Sequence, residues 1–206
     1  MLKFSLEGLG TLTLAVAIGL TLDPIAAGLV LMALLYIGFS ITTVHLNPAV
    51  SLGVWSLNKE SSPDLLLRLS GQFSGAVGGA FIVSWISRIT YIPKPSDSTG
   101  VGEFIMLELL FSLIFVLLFL VMLYPAAAMK KSLTALVGGA GYAGFLLVVE
   151  PVTGFGLHPA LNSAFSLFDY LDGGSSYSYL PIYFFTPLVG ALLAALIHKR
   201  LMKKNS

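Results

Sequence analysis

The chain has 206 residues, of which 56% are hydrophobic and only 10% charged, with a net charge of +1 and a mean hydropathy of +0.91. Roughly a quarter of the residues in a soluble domain are charged, so this composition excludes one and points to an integral membrane protein. Cysteine is absent, which removes disulfides, thiolate metal sites and thiol catalysis together.

A helix needs roughly 20 apolar residues to cross a bilayer. Six segments reach about that length: 4–22, 25–43, 65–86, 103–124, 132–149 and 180–198. The first carries Glu7 and runs on into the second, so it reads as a span and not as a removable signal. A membrane β-barrel would alternate apolar and polar residues, and the run from Leu109 to Leu123 does not, so the expected class is all-α. Residues 44–57, VHLNPAVSLGVWSL, follow the second span and are too short to cross. TGFGLHPALNSAF at 153–165, continuing through FSLFDYL, follows the fifth and is the same kind of object. Each has a proline just inside its expected helix start, where the missing N–H costs nothing. Residues 90–102 read as an extracellular connection and 172–181 as a Gly/Ser turn. Glycine clusters at 71–80 and 138–144 read as close helix packing, which places spans three and five inside the bundle.

These elements repeat. Glu7 in span one matches Glu108 in span four, 101 residues on, and Asn47-Pro48-Ala49 matches His158-Pro159-Ala160, 111 residues on. The expected organisation is one domain over 1–206, built of repeats at about 1–88 and 100–206. Each repeat has an odd number of spans, so the second is inverted and the two half-helix starts face each other near the midplane. With the N-terminus inside, Lys3, Lys59, Arg68, Lys130, Lys131, Lys199, Arg200, Lys203 and Lys204 lie on the cytoplasmic side and only Arg88 and Lys94 outside. That bias predicts both termini in the cytoplasm, in a cell (inner) membrane.

A helix start has unpaired N–H groups and about half a positive charge. Asn47 can accept one N–H through its carbonyl oxygen and offer its NH₂ to a lumen. Two such ends facing each other repel cations and protons while donating to a neutral permeant. Glu7 and Glu108 are carboxylates at membrane depth, costing roughly 3 kcal/mol or more each without partners. They either move protons or accept backbone N–H groups from the loops entering the half-helices, and their symmetric placement favours the second.

EGLGT in span one, HLNPAV at 45–50, Gln72, Glu108, PVTGFGLHPALNSAF at 151–165 and TPLVGALLAAL at 186–196 together resemble the aquaporin, or major intrinsic protein, family over essentially the whole chain. The resemblance implies six spans, two half-helices meeting head to head, one pore per subunit and a homotetramer in the lipid bilayer. In water-selective members the second motif is Asn-Pro-Ala-Arg, and the arginine forms a constriction with a histidine from span five and an aromatic from span two. Here those three positions fall on Leu161, Leu146 and Ala27, and the remaining constriction position on Phe155. All four are apolar, which suits larger or less polar uncharged solutes or a pore that gates by dewetting.

His158 stands where the second asparagine is expected. Its Nδ1 can accept the N–H the asparagine would accept, leaving Nε2–H for the lumen, which predicts a neutral imidazole. A tolerated replacement is favoured over a pH switch. Glu150 either faces an outer vestibule or, by preference, caps backbone donors of the following loop. His45 is expected to orient its loop by hydrogen bonding, because no second metal ligand stands at useful spacing. Asn162 either satisfies half-helix backbone or lines the pore.

The function expected is passive passage of small neutral solutes: water, glycerol, urea, ammonia or metalloid acids. No enzyme activity, metal, cofactor or nucleic-acid partner is expected, since there is no HExxH and no Ser/His pair. The competing readings are a coupled secondary transporter, which would have to use Glu7, Glu108, Glu150 or His158, and a pH-gated or occluded protein of mainly structural role.

Overall fold

The computed structural model describes residues 1–88, 91–124 and 130–203. Among them the regular structure is entirely helical: α1 (Leu2–Thr21), α2 (Pro24–Ile41), α3 (Pro48–Ser56), α4 (Ser62–Ser87), α5 (Val101–Leu123), α6 (Lys131–Thr153), α7 (Pro159–Leu171) and α8 (Leu180–Lys203), with a short 3-10 turn leading into α8. Helices α1, α2, α4, α5, α6 and α8 are long and apolar enough to span, and each matches an expected segment to within a few residues. Helix α6 runs through Pro151 to Thr153, past the expected end at 149, because a proline so near the terminus interrupts little of the remaining ladder.

Local chemistry sets the starts. Asp23 accepts the Ile25 and Ala26 N–H groups at 2.7 and 3.3 Å ahead of Pro24, and Ser61 accepts the Asp64 N–H at 3.2 Å ahead of α4. Helix α3 is shorter than the expected 44–57 because Leu46 takes a left-handed conformation (φ 54) and Asn47 an extended one (φ −159).

Helix α1 lies along α4, and α5 along α8, equivalent pairs in the two halves; α2 lies along α6 and joins them. At the α2–α6 crossing, a Cβ on Gly28 would sit 2.6 Å from the Gly139 carbonyl oxygen and a Cβ on Gly139 would sit 2.6 Å from that of Gly28, so both must be glycine for the backbones to meet. The glycine clusters therefore do mark close packing. Yet α6 is no more buried than α5 or α8, because its small residues bury one face only. Half-helix α3 packs against α8, α4 and α5, and α7 against α4 and α8, which brings the two half-helix starts together. This is a six-span bundle with two re-entrant half-helices and inverted three-helix repeats.

Candidate functional site

Asn47 caps α3 and His158 caps α7, each with proline as the next residue. Asn47 Oδ1 accepts the Ala49 N–H at 2.8 Å, and His158 Nδ1 accepts the Leu161 N–H at 3.4 Å. Both side chains also reach across. The Asn47 amide donates to the Leu157 carbonyl at 2.9 Å, and His158 Nε2 lies 2.8 Å from the Leu46 carbonyl. A nitrogen facing a carbonyl must carry the proton, so these partners assign the neutral tautomer with hydrogen on Nε2. The Nε2–H expected to face a lumen is instead committed to Leu46. Asn47 has a second amide hydrogen to spare, whereas the imidazole has none.

Leu46 and Leu157 both have left-handed backbones, at φ 54 and 64, disfavoured for a side-chain-bearing residue by roughly 1–2 kcal/mol. Each is held at both ends: its carbonyl by the cap residue of the other half, its N–H by a glutamate of its own half. Glu7 accepts the His45 and Leu46 N–H groups at 2.8 and 2.6 Å, and Glu108 accepts the Leu157 N–H at 2.9 Å. A Cβ on Gly156 would lie 1.8 Å from the Glu108 carboxylate, so the loop passes this close only as glycine.

The two carboxylates differ in the rest of their surroundings. Glu7 also receives Arg68 Nη1 at 2.5 Å and Gln72 Nε2 at 2.7 Å, while Glu108 receives only the Thr153 hydroxyl, at 2.7 Å. Arg68 is itself buried, donating through Nε to Glu60 at 2.7 Å and through Nη1 to the Thr43 carbonyl at 2.8 Å. Lys3 then pairs with Glu60 at 3.1 Å and Asp64 at 2.9 Å. Sequence reasoning missed Arg68 and Glu60. The signal was available: Arg68 is a lone cation within an expected span, at the same end as a carboxylate in need of a partner.

Ala27, Leu146, Phe155 and Leu161 all belong to one contiguous apolar core and none is more than 3% exposed. The Phe155 N–H donates to the Tyr91 hydroxyl at 2.9 Å, and burial pushes that phenol up, keeping it an O–H. His45 Nδ1 lies 3.1 Å from the Ser51 hydroxyl, and its backbone is tied to Glu7, which fits a loop-orienting side chain. Glu150 is half-buried near the end of α6, and the loop donors at Phe155 and Leu157 go to Tyr91 and Glu108. The side-chain amide of Asn162 satisfies no backbone; both its nitrogen and its oxygen are buried without a protein partner.

Two buried helix starts locked to each other inside six spans are the arrangement of a known channel fold. The sequence matches the family model described as "Major intrinsic protein" over residues 7–198. The chain belongs to the major intrinsic protein family. It is an integral multi-pass membrane protein, a passive channel for small solutes and not an enzyme. Aquaporin AqpM of Methanothermobacter thermautotrophicus is 29% identical over 194 residues, covering 90% of this chain and 76% of the relative. Glycerol uptake facilitator protein-like 6 of Lactiplantibacillus plantarum is 29% identical over 203 residues, covering 93% and 90%. Among solved structures, the aquaglyceroporin from Plasmodium falciparum shares the fold at a TM-score of 0.76 and 21% identity, covering 95% of this chain and 92% of that one.

Proposed function

We propose that this major intrinsic protein conducts small uncharged solutes less polar or larger than water, with glycerol and other small polyols as the leading class. The observation that carries this reading is the filter set: Ala27, Leu146, Phe155 and Leu161 contain no charged or hydrogen-bonding side chain. Water held in such a constriction loses hydrogen bonds it cannot replace, whereas the carbon skeleton of a polyol is at home there. An aquaporin and a glycerol uptake facilitator-like protein both resemble the chain, and the apolar filter favours the glycerol side of that pair. Urea, ammonia and undissociated metalloid acids belong to the same uncharged class.

Asn47 and His158 are the midplane residues that bar cations. Pro48, Ala49, Pro159 and Ala160 start the half-helices that aim positive dipole ends at the permeant. Glu7 and Glu108 hold the loops; Glu7, filled by four donors, has no vacant site for a relayed proton, which argues against a coupled transporter. The working form is a homotetramer in the cell membrane with both termini cytoplasmic, one domain over 1–206 with its own pore.

Stopped-flow shrinkage of proteoliposomes, run in parallel with water, glycerol, urea and ammonia, tests this. Glycerol flux above that of empty vesicles supports it; water flux with glycerol excluded, or flux of a cation, overturns it.

A further inference from the structure

Between the ends of α2, α5 and α6, on the face of the bundle that carries both termini, lies a cavity of about 340 Å³ lined by Phe39, Thr42, Thr43, Met122, Lys131 and Thr134 among others. Its polar lining and position suit the inner vestibule of the proposed pathway. It stops at Phe39 and Met122. Immediately beyond, side chains from three helices converge: a Cβ on Gly138 of α6 would meet Leu35 of α2 at 2.8 Å, Met122 of α5 at 3.3 Å and the tip of the Phe119 ring at 3.5 Å. Phe119 then packs on Phe115 with ring centroids 4.9 Å apart, and Phe115 on Tyr142 at 5.3 Å.

Helical spacing places this aromatic column on the route to the half-helix starts. Phe115 is two turns from Glu108, which holds Leu157, and Tyr142 is one turn from Leu146, so each shares a face with a site residue. On α2 the buried line Ala27, Leu31, Leu35, Phe39 runs from the filter to the vestibule in steps of four residues. Phe115, Phe119 and Tyr142 are at most 1% exposed, and the Tyr142 hydroxyl is buried without a partner.

We propose that Phe115, Phe119 and Tyr142 form a hydrophobic gate that closes the inner half of the pathway and limits flux. Apolar constrictions of this kind exclude water until a side chain moves aside. A phenylalanine needs a rotamer change to do so, and the side chains that close on Gly138 beside it, Leu35 and Met122, are flexible ones that can shift with it. The orphaned Tyr142 hydroxyl is the one group in the column able to bond a hydroxylic solute as the column parts. It therefore sets which uncharged solutes profit from opening. This inference rests on the channel reading of the same pathway.

The chain has no cysteine, so single reporters are clean. Thr134→Cys, in the vestibule, and Leu31→Cys, beyond the column, are exposed to a small membrane-impermeant thiol reagent from the side bearing the termini. Thr134→Cys is expected to react in every background and Leu31→Cys only when combined with Phe119→Ala, or with Phe119→Leu should the alanine variant fail to fold. In parallel, Phe119→Ala raises water and glycerol flux severalfold over wild type, Tyr142→Phe lowers glycerol flux, and Leu66→Ala on the exposed surface changes neither. Equal labelling of Leu31→Cys with and without Phe119→Ala overturns the gate whatever the fluxes are. So does equal, measurable flux above that of empty vesicles through both wild type and Phe119→Ala, which leaves the channel reading standing. Reporter labelling as expected with no solute flux in any variant keeps the closure at the column and overturns the channel reading instead.

Discussion

Asn47 and His158 each donate to the carbonyl of the leucine that precedes the other, Asn47 to Leu157 at 2.9 Å and His158 to Leu46 at 2.8 Å. The two half-helix starts are thereby joined by a reciprocal pair of buried bonds, and the same bonds fix two left-handed leucines whose N–H groups are held by Glu7 and Glu108. The midplane of the channel is one connected polar unit, not two independent motifs.

An asparagine at position 158 could cap α7 and cross to Leu46 while keeping one N–H free, so His158→Asn is expected to fold normally and conduct at least as well as wild type. His158→Ala removes both bonds and leaves the Leu46 carbonyl unpaired, at a cost of about 1–3 kcal/mol. Thermal unfolding in detergent, with the two variants beside wild type, checks the order.

Because Nδ1 accepts and Nε2 donates, protonating His158 would replace a cap acceptor with a second donor. The buried lock opposes that change, so solute flux is expected to stay level from about pH 5 to about pH 8. Proteoliposome flux across that range measures it; a loss of flux in acid that disappears in His158→Asn would establish a switch in place of a lock.

Glu7→Gln is expected to destabilise far more than Glu108→Gln. The first removes the negative charge that four donors share, among them the buried Arg68 at 2.5 Å, which keeps Glu60, and each hydrogen bond to a charged group is worth about 1.5–3 kcal/mol. The second exchanges a carboxylate that faces two neutral donors, at a cost of about 1–3 kcal/mol. Melting temperatures of the two variants give the comparison, and Arg68→Leu with Glu7→Gln should recover part of the first loss.

Much of the bundle was legible because lipid forces it to be: spans, half-helices and their proline starts are written as long apolar runs and the breaks between them. The paired Glu7 and Glu108 were legible as costs that had to be met. What escaped was which partners meet them. Arg68 stands at the same end of its span as Glu7, which made it a candidate, and the packing of α4 on α1 is what joins the two. The destination of the His158 Nε2 proton escaped for the same reason: Leu46 is 112 residues away in the chain.

The proposed filter of Ala27, Leu146, Phe155 and Leu161 is what would favour glycerol over water, and the glycerol-to-water permeability ratio of wild type against Leu161→Arg measures that choice. Arginine at that position would narrow the constriction and add fixed donors. The expected result is a ratio well above that of empty vesicles in wild type and a marked fall in Leu161→Arg with water flux retained. A wild-type channel that passes water and excludes glycerol, or a ratio untouched by Leu161→Arg, would contradict it.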